Sequence, residues 1–514
     1  MRELYTFSDD VRAVDDAGVG SKVIDLHYTG YNVPYGGLKF HGRSSTEMAT
    51  VKQRLVESIS EIDYADEFCA ARSWSWEYSP TPADKQPNSE VDMALLASMF
   101  SKTYQWRLGD MADYAWAGEV SPNGEFIPLR SPLAVAFAAK TAGVKNLVVP
   151  TDSASIVAAA GVRTLAVGTT QELFCLLTNA VENCITEPTL EYDEDEYFDI
   201  AFVKGQARAR RALVIAIAGG HSMLMVGPPG EGKSLLAKCA GGIAPPLTLE
   251  ESLEVSAIHQ AAGKTDKLLR YRPVRMVDPT VTKQALIGGG SLHPYPGEVT
   301  LAHRGVLFID EILQCSKGTI EALRGPMQDG YVTISRVNWK QQFPAQFQLI
   351  AAANPCPCGY YMHPEKECVC GETVRNNYMR KLSGPLIDRI PIRVFIQPLT
   401  LREKLSAGHG ETSEQVRAKV GAAREMQQAR FAGLEKTGCN DDLNPSIMHL
   451  VSPSEPGLDM LEQVVERLKL SSRGVDNTLK VARTIADLAG SETVGPEAIG
   501  EAVSYLEWTH GGVK

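Results

Sequence analysis

The chain has 514 residues, 44% of them hydrophobic and 22% charged, the composition of a globular protein too long for one ordinary core; at roughly 150 residues per domain it holds about three. A net charge of −11 excludes binding to nucleic acid through overall charge, so any grip on phosphates must come from a local basic surface. No run of about 18 apolar residues is present and the N-terminus MRELYTFSDDVRAVDD has no apolar centre, which points away from a membrane-spanning helix and a signal peptide and toward a cytoplasmic protein with no membrane partner.

Residues 1–90 show no sustained hydrophobic period. From 91 to 185 apolar clusters alternate with turn signals such as SPNG (121–124), and the helical LAVAFAAKTAG (133–143) precedes the strand-like NLVVP, so 1–186 reads as a mixed α/β domain. EPTLEYDEDEYFD (187–199) carries seven acidic side chains and no basic one, and reads as a linker. Between 200 and 398 short apolar strands (SMLMVG, GVLFID, FQLIAAAN) alternate with helical stretches, which predicts a parallel sheet with crossover helices. From 399 to 514 the pattern is helical and predicts a lid domain.

GPPGEGKS (227–234) fits G-x-x-x-x-G-K-[ST] between a strand and a helix. Gly227, Gly230 and Gly232 let backbone N–H groups approach a β-phosphate, while Pro228, Pro229 and Glu231 fill the variable positions of the cradle. Lys233 is placed to neutralise the β- and γ-phosphate oxygens of ATP, and Ser234 to offer its hydroxyl to Mg²⁺. GVLFIDEI (305–312) is a strand ending in adjacent carboxylates, a costly choice for packing alone. Asp310 would hold Mg²⁺ and Glu311 would polarise the attacking water. The strand FQLIAAAN delivers Asn354 to the same sheet edge, where its amide could hold that water or simply cap a turn before Pro355. Three such strand ends predict an ATPase whose Asn354 strand lies between the P-loop strand and the acidic strand.

Directly after Asn354, Cys356, Cys358, Cys368 and Cys370 form two close pairs separated by a loop. Four thiolates at about 2.3 Å from one ion describe a closed structural Zn²⁺ site, which would stabilise a loop too polar to pack by itself. Free thiols and a redox pair are the other readings, although C-x-C is not the C-x-x-C of thioredoxin-like motifs. His363, inside the loop, is a possible substitute ligand. The other six cysteines are scattered, which argues against a disulfide framework.

From about 199 to 509 the chain resembles the ComM/YifB group of magnesium-chelatase-like AAA+ ATPases, relatives of chelatase I subunits and MCM helicases. The resemblance rests on KGQARARRALVIAIAGGHSMLMVGPPGEGKSLLAK (204–238), ALIGGGSLHPYPGEVTLAHRGVLFIDE (285–311), ALRGPMQDGYVTISR (322–336), NPCPCGYY (354–361), LSGPLIDRI (382–390) and SSRGVDNTLKVARTIADLAGSE (471–492). It implies an AAA+ P-loop core, a helical lid and, from ADYAWAGEV to NLVVP (112–150), a Lon-protease-like N-terminal α/β domain. It also implies an arginine finger at Arg389 and a second sensor arginine at Arg473. A finger supplied by a neighbour makes activity depend on a ring, here a homo-hexamer. One departure stands out: where the family has a histidine pair, this chain reads RMVDPT (275–280), with Asp278 and Pro279.

The Lon likeness raises a peptidase as a rival, but Leu133 stands at about the position of the base, and Ser89 has no Gly-Pro-Ser-Ala-Gly setting. Two basic segments could line a ring channel. One carries Lys264, Lys267, Arg270, Arg272 and Arg275 against the single acid Asp266; the other carries Arg336, Trp339 and Lys340. The resemblance therefore implies a hexameric ATP-driven DNA motor, a helicase or branch-migration enzyme acting on single-stranded or branched DNA in recombination intermediates. The alternative is a chelatase-type remodeller of a protein partner that does not translocate on DNA.

Overall fold

A computed structural model describes residues 10–14, 23–28, 38–40, 53–55, 57–59, 74–79, 91–103, 113–179, 185–193, 197–290, 295–335, 340–400, 410–434 and 438–506. Contacts divide the chain into two units. One comprises residues 1–193 together with 249–269 and 335–341, and the other the remainder. Ser89, Arg336 and Trp339 lie outside the described residues.

The second unit is built on a five-stranded sheet. Its strands are β1 (Met223–Val226), β2 (Val274–Val277), β3 (Val306–Ile309), β4 (Gln348–Ala353) and β5 (Ile392–Phe395), in the order β2-β3-β4-β1-β5. All neighbours run parallel, with Met223 opposite Ile350 and Val306 opposite Gln348. Every residue of β1 and β3 is buried, as parallel strands covered on both faces require. The strand bearing Asn354 thus lies between the P-loop strand and the acidic strand, as the alternation of motifs predicts. Crossovers place the C-terminal ends of these strands at one edge, where ligands bind in open α/β sheets.

The helical C-terminal part packs on helix Ala207–Gly219 within the same core. Its helices start where the sequence offers caps. Thr412 and Gln415 form a reciprocal capping box at Ser413–Arg430, and Ser454 and Ser471 cap Glu455–Leu468 and Ser472–Leu488 through backbone N–H groups. A buried charge network ties these helices together: the Asp487 carboxylate accepts from Arg430, Arg483 and Asn440, and Arg483 itself has no exposed surface.

The first unit contains a mixed seven-stranded sheet that includes Tyr114–Trp116, Asn146–Pro150 and Arg163–Val167, parallel to one another. Helix Pro132–Thr141 packs on helix Leu249–Ala261, and the Gln260 amide oxygen accepts from Leu133 N at 3.3 Å. Leu133 has no exposed surface, so that position holds an apolar core residue. The acid-rich stretch 187–199 is anchored at both ends. Asp193 N donates to Leu268 O in the first unit, and Asp199 accepts from Ala201 N and Ser413 N in the second.

Candidate active site

The P-loop joins β1 to helix Lys233–Lys238. Gly230 and Gly232 have φ of 82° and 83°, a left-handed conformation that suits glycine, and no atom lies within 4 Å of where their Cβ would stand. Gly227 is needed for another reason, since a Cβ there would meet Ile396 O at 2.5 Å. Glu231 accepts at long range from Leu399 N, 3.4 Å away. The loop therefore presents an open, backbone-lined rim suited to phosphate oxygens, closed from behind by the strand ends.

Lys233 is 6% exposed and turns its ammonium group back into that rim, donating to Gly227 O and Pro228 O at 2.7 Å each and to Asn354 Oδ1 at 3.3 Å. Burial pushes its pKa below the ordinary lysine range, while Asp310, Glu311 and Glu231 pull it back up. Ser234 Oγ donates to Asp310 Oδ2 at 2.6 Å. Hydroxyl and carboxylate oxygens held this close are the hard donors that suit Mg²⁺ carrying several waters, so the residues present fit the ion. Asp310 also accepts from Glu311 N at 2.9 Å through its other oxygen, which fixes the carboxylate plane.

Glu311 has φ of 45°, a strained setting for a residue other than glycine. The turn aims its carboxylate across the strand ends, where Oε1 accepts from Asn354 Nδ2 at 3.0 Å and Oε2 accepts from Gln314 Nε2 at 2.6 Å. Ser234, Asp310, Glu311, Asn354 and Lys233 thus join in one chain of short contacts around a single edge of the sheet. Gln314 and Tyr378 are additions that sequence reasoning missed. Burial and then the Glu311 charge push the Tyr378 phenol up to about 12. Only the spacing of Gln314, three residues after Glu311 on a short 3-10 turn, could have signalled the first.

Arg389 and Arg473 are in different surroundings. Arg389 Nη1 donates to Pro385 O at 2.6 Å and Nη2 to Gln328 Oε1. Its pKa is lowered first by burial and then by Arg473 and Arg324, with Asp388 and Asp329 opposing. Those neighbours do not include the carboxylates of the phosphate rim. Arg473 is exposed in the first turn of helix Ser472–Leu488. Asp278, the departure from the family pattern, is exposed just past the end of β2.

The four loop cysteines converge. Cys356 Sγ lies 3.3 Å from Cys358 Sγ and 3.6 Å from Cys368 Sγ, Cys358 and Cys368 are 3.6 Å apart, and with Cys370 all four sulfurs lie within 4.8 Å of one another. That spread and donor set match a tetrahedral thiolate centre. His363 is not in this group: its Nδ1 accepts from Glu365 N and Lys366 N, both at 3.1 Å. The loop also touches the phosphate rim. Gly359, with φ of 85°, sits where a Cβ would come within 2.9 Å of Pro229 Cδ.

Part of the basic segment is engaged inside the fold. Arg272 donates to Pro245 O and Arg304 O, Arg275 pairs with Glu298 at 2.8 Å, and Lys267 lies 3.6 Å from Glu191. Lys264, Arg270 and Lys340 are exposed. Among the described residues no helix is long and apolar enough to cross a membrane.

Comparison with known proteins agrees with this geometry. The family profile "Magnesium chelatase, subunit ChlI" matches residues 199–404, and the profile of its C-terminal part matches 410–506. YifB of Escherichia coli is 32% identical over 475 residues, 91% of each chain. Competence protein ComM of Haemophilus influenzae is 36% identical over 339 residues, 65% of this chain and 64% of its own. More distantly, the Holliday junction branch migration complex subunit RuvB of Anaeromyxobacter is 27% identical over 315 residues, 58% of this chain and 72% of its own. With profiles covering both its nucleotide-binding and helical parts and a relative matched along nearly its whole length, the chain belongs to the ComM/YifB group of magnesium-chelatase-type AAA+ ATPases.

Proposed function

We propose that the protein hydrolyses ATP with Mg²⁺ as a ring of six identical subunits and uses the cycle to move single-stranded or branched DNA, as a helicase or branch-migration motor. The observation that carries the ATPase reading is the contact chain Ser234–Asp310–Glu311–Asn354–Lys233 at one sheet edge. In this reading Ser234 and Asp310 hold Mg²⁺, Lys233 binds the β- and γ-phosphates, Asn354 and Glu311 orient and polarise the water, and Arg389 and Arg473 serve a neighbour's nucleotide. The ion supplies charge neutralisation on the phosphates when bound.

The DNA half of the reading is supported by the relative named for Holliday-junction branch migration and by exposed Lys264, Arg270 and Lys340 on an otherwise acidic chain. A filter-binding assay with forked and single-stranded DNA at low salt, with a non-hydrolysable ATP analogue present, tests it. Retention of either DNA supports the motor; retention of neither favours the second reading, a chelatase-type remodeller of a protein partner, which the family profile's own name supports. The cytoplasm is the expected site of action.

The Cys356, Cys358, Cys368 and Cys370 cluster holds a structural Zn²⁺ in this proposal. Elemental analysis of protein purified from zinc-replete cells should find close to one zinc per chain; well under half would remove the metal from the reading.

A further inference from the structure

We infer that Arg324 is a third guanidinium, beside Arg389 and Arg473, of the surface that meets the terminal phosphate of ATP held by an adjoining copy. This rests on the ring reading above and adds to it a residue outside the family's two arginine positions.

Two hydrogen bonds bring three separate elements together. Arg324 heads the short helix Arg324–Asp329, and Gln328, one turn further on, accepts from Arg389 Nη2. Arg473 opens helix Ser472–Leu488, and Asn477, one turn further on, donates Nδ2 to Asp388 O at 2.8 Å. Both flanking arginines are therefore one helical turn from a bond that ends at residue 388 or 389. Side chains four apart on a helix share a face, so both can reach toward Arg389.

Charge completes the argument. Among the described residues neither the Arg324 nor the Arg473 side chain makes a hydrogen bond or ion pair, and both residues are exposed. Arg473 and Arg324 bear on the charge of Arg389, opposed by Asp388 and Asp329, so two carboxylates face three guanidiniums. Like charges gathered on one face repel, and the cluster is relieved by a multiply charged anion that accepts several N–H bonds at once. A γ-phosphoryl group in transfer is such an anion. In that step a water oxygen bonds to the γ-phosphorus and the bond from phosphorus to the bridging oxygen breaks. ADP leaves with that electron pair, and the proton lost by the water passes to the Glu311 carboxylate and then to solvent. Guanidiniums on the far side of the phosphoryl group stabilise the charge that builds on its oxygens.

The test uses full-length Arg324→Ala and Arg324→Lys, with a fluorescent ATP analogue for affinity and phosphate release for turnover. The expected result for Arg324→Ala is a kcat lower by roughly tenfold to a hundredfold, less than the loss of a whole arginine finger, with analogue affinity changed by less than about twofold. Arg324→Lys should recover part of the rate. Mixing Arg324→Ala with Lys233→Ala chains, which lack a working cradle but keep the arginine, should raise turnover above either alone. Unchanged kcat overturns the assignment, as does a loss that mixing does not relieve. Lost DNA retention with intact ATPase activity also overturns it and hands the cluster to nucleic-acid phosphates. If wild-type protein diluted to a single chain hydrolyses ATP at full speed, the ring reading itself fails, an outcome separable from these because it needs no Arg324 variant.

Discussion

At the level of single residues, binding and turnover divide between Lys233 and Glu311 in the proposed mechanism. Lys233 fills the rim with the only ammonium group among the contacts described there, so Lys233→Ala should abolish detectable binding of a fluorescent ATP analogue. The Glu311 carboxylate bonds Asn354 and Gln314. Glu311→Gln should keep the analogue bound while turnover falls by roughly 10²- to 10⁴-fold, the usual worth of a positioned general base. Turnover within tenfold of wild type would move the water-activating role to another group. Lys233, Ser234, Asp310, Glu311 and Asn354 were legible because each sits at a fixed offset from a strand end, and the parallel sheet converts those offsets into proximity. Gln314, Gln328, Tyr378 and Arg324 were not, because their places depend on how turns and short helices fold back, which no period in the sequence records.

Among the elements, the helical bundle and the cysteine loop make opposite demands. Asp487 is 2% exposed and serves two arginines, one of which is wholly buried. Asp487→Ala leaves a buried guanidinium without its carboxylate and should destabilise the second unit by about 3–5 kcal/mol, read by thermal or denaturant unfolding. A loss under about 1 kcal/mol would show that Ser491 O and Glu492 O, which also accept from Arg483, are enough. The cysteine loop should depend on metal instead of packing, with Val369 86% exposed and little apolar surface to bury. Cys368→Ser, or a strong chelator, should lower the melting temperature and weaken ATP-analogue binding through the Gly359–Pro229 contact. Unchanged melting and binding would make the thiols incidental. The place of the Asn354 strand between the P-loop strand and the acidic strand was readable from the motifs. The grouping of helix Leu249–Ala261 with the first unit was not, because residues from Ser252 to Gln260 are buried on almost every side and leave no apolar stripe to read.

For the molecule as a whole, the expected behaviour turns on its acidity and on the proposed ring. In the motor reading, DNA held by exposed cations should be released as salt rises, and Lys264→Ala or Lys340→Ala should each flatten the logarithmic salt slope by about one per phosphate contact removed. An unaltered slope would remove that side chain from the interface. ATPase activity per chain should rise with protein concentration until a ring forms, followed by light scattering alongside phosphate release.

The bond from Asn477 to Asp388 has a mechanical meaning in such a ring. Asn477 belongs to the C-terminal bundle and Asp388 to the turn before β5, so this bond ties the position of Arg473 to that of Arg389. In the ring reading, each subunit would then show the posture of its bundle to the nucleotide next door. If the ring reading holds, cutting that bond with Asn477→Ala should uncouple neighbouring pockets, visible as a Hill coefficient for ATP lower than that of the wild type; an unchanged coefficient would leave the bond without that role.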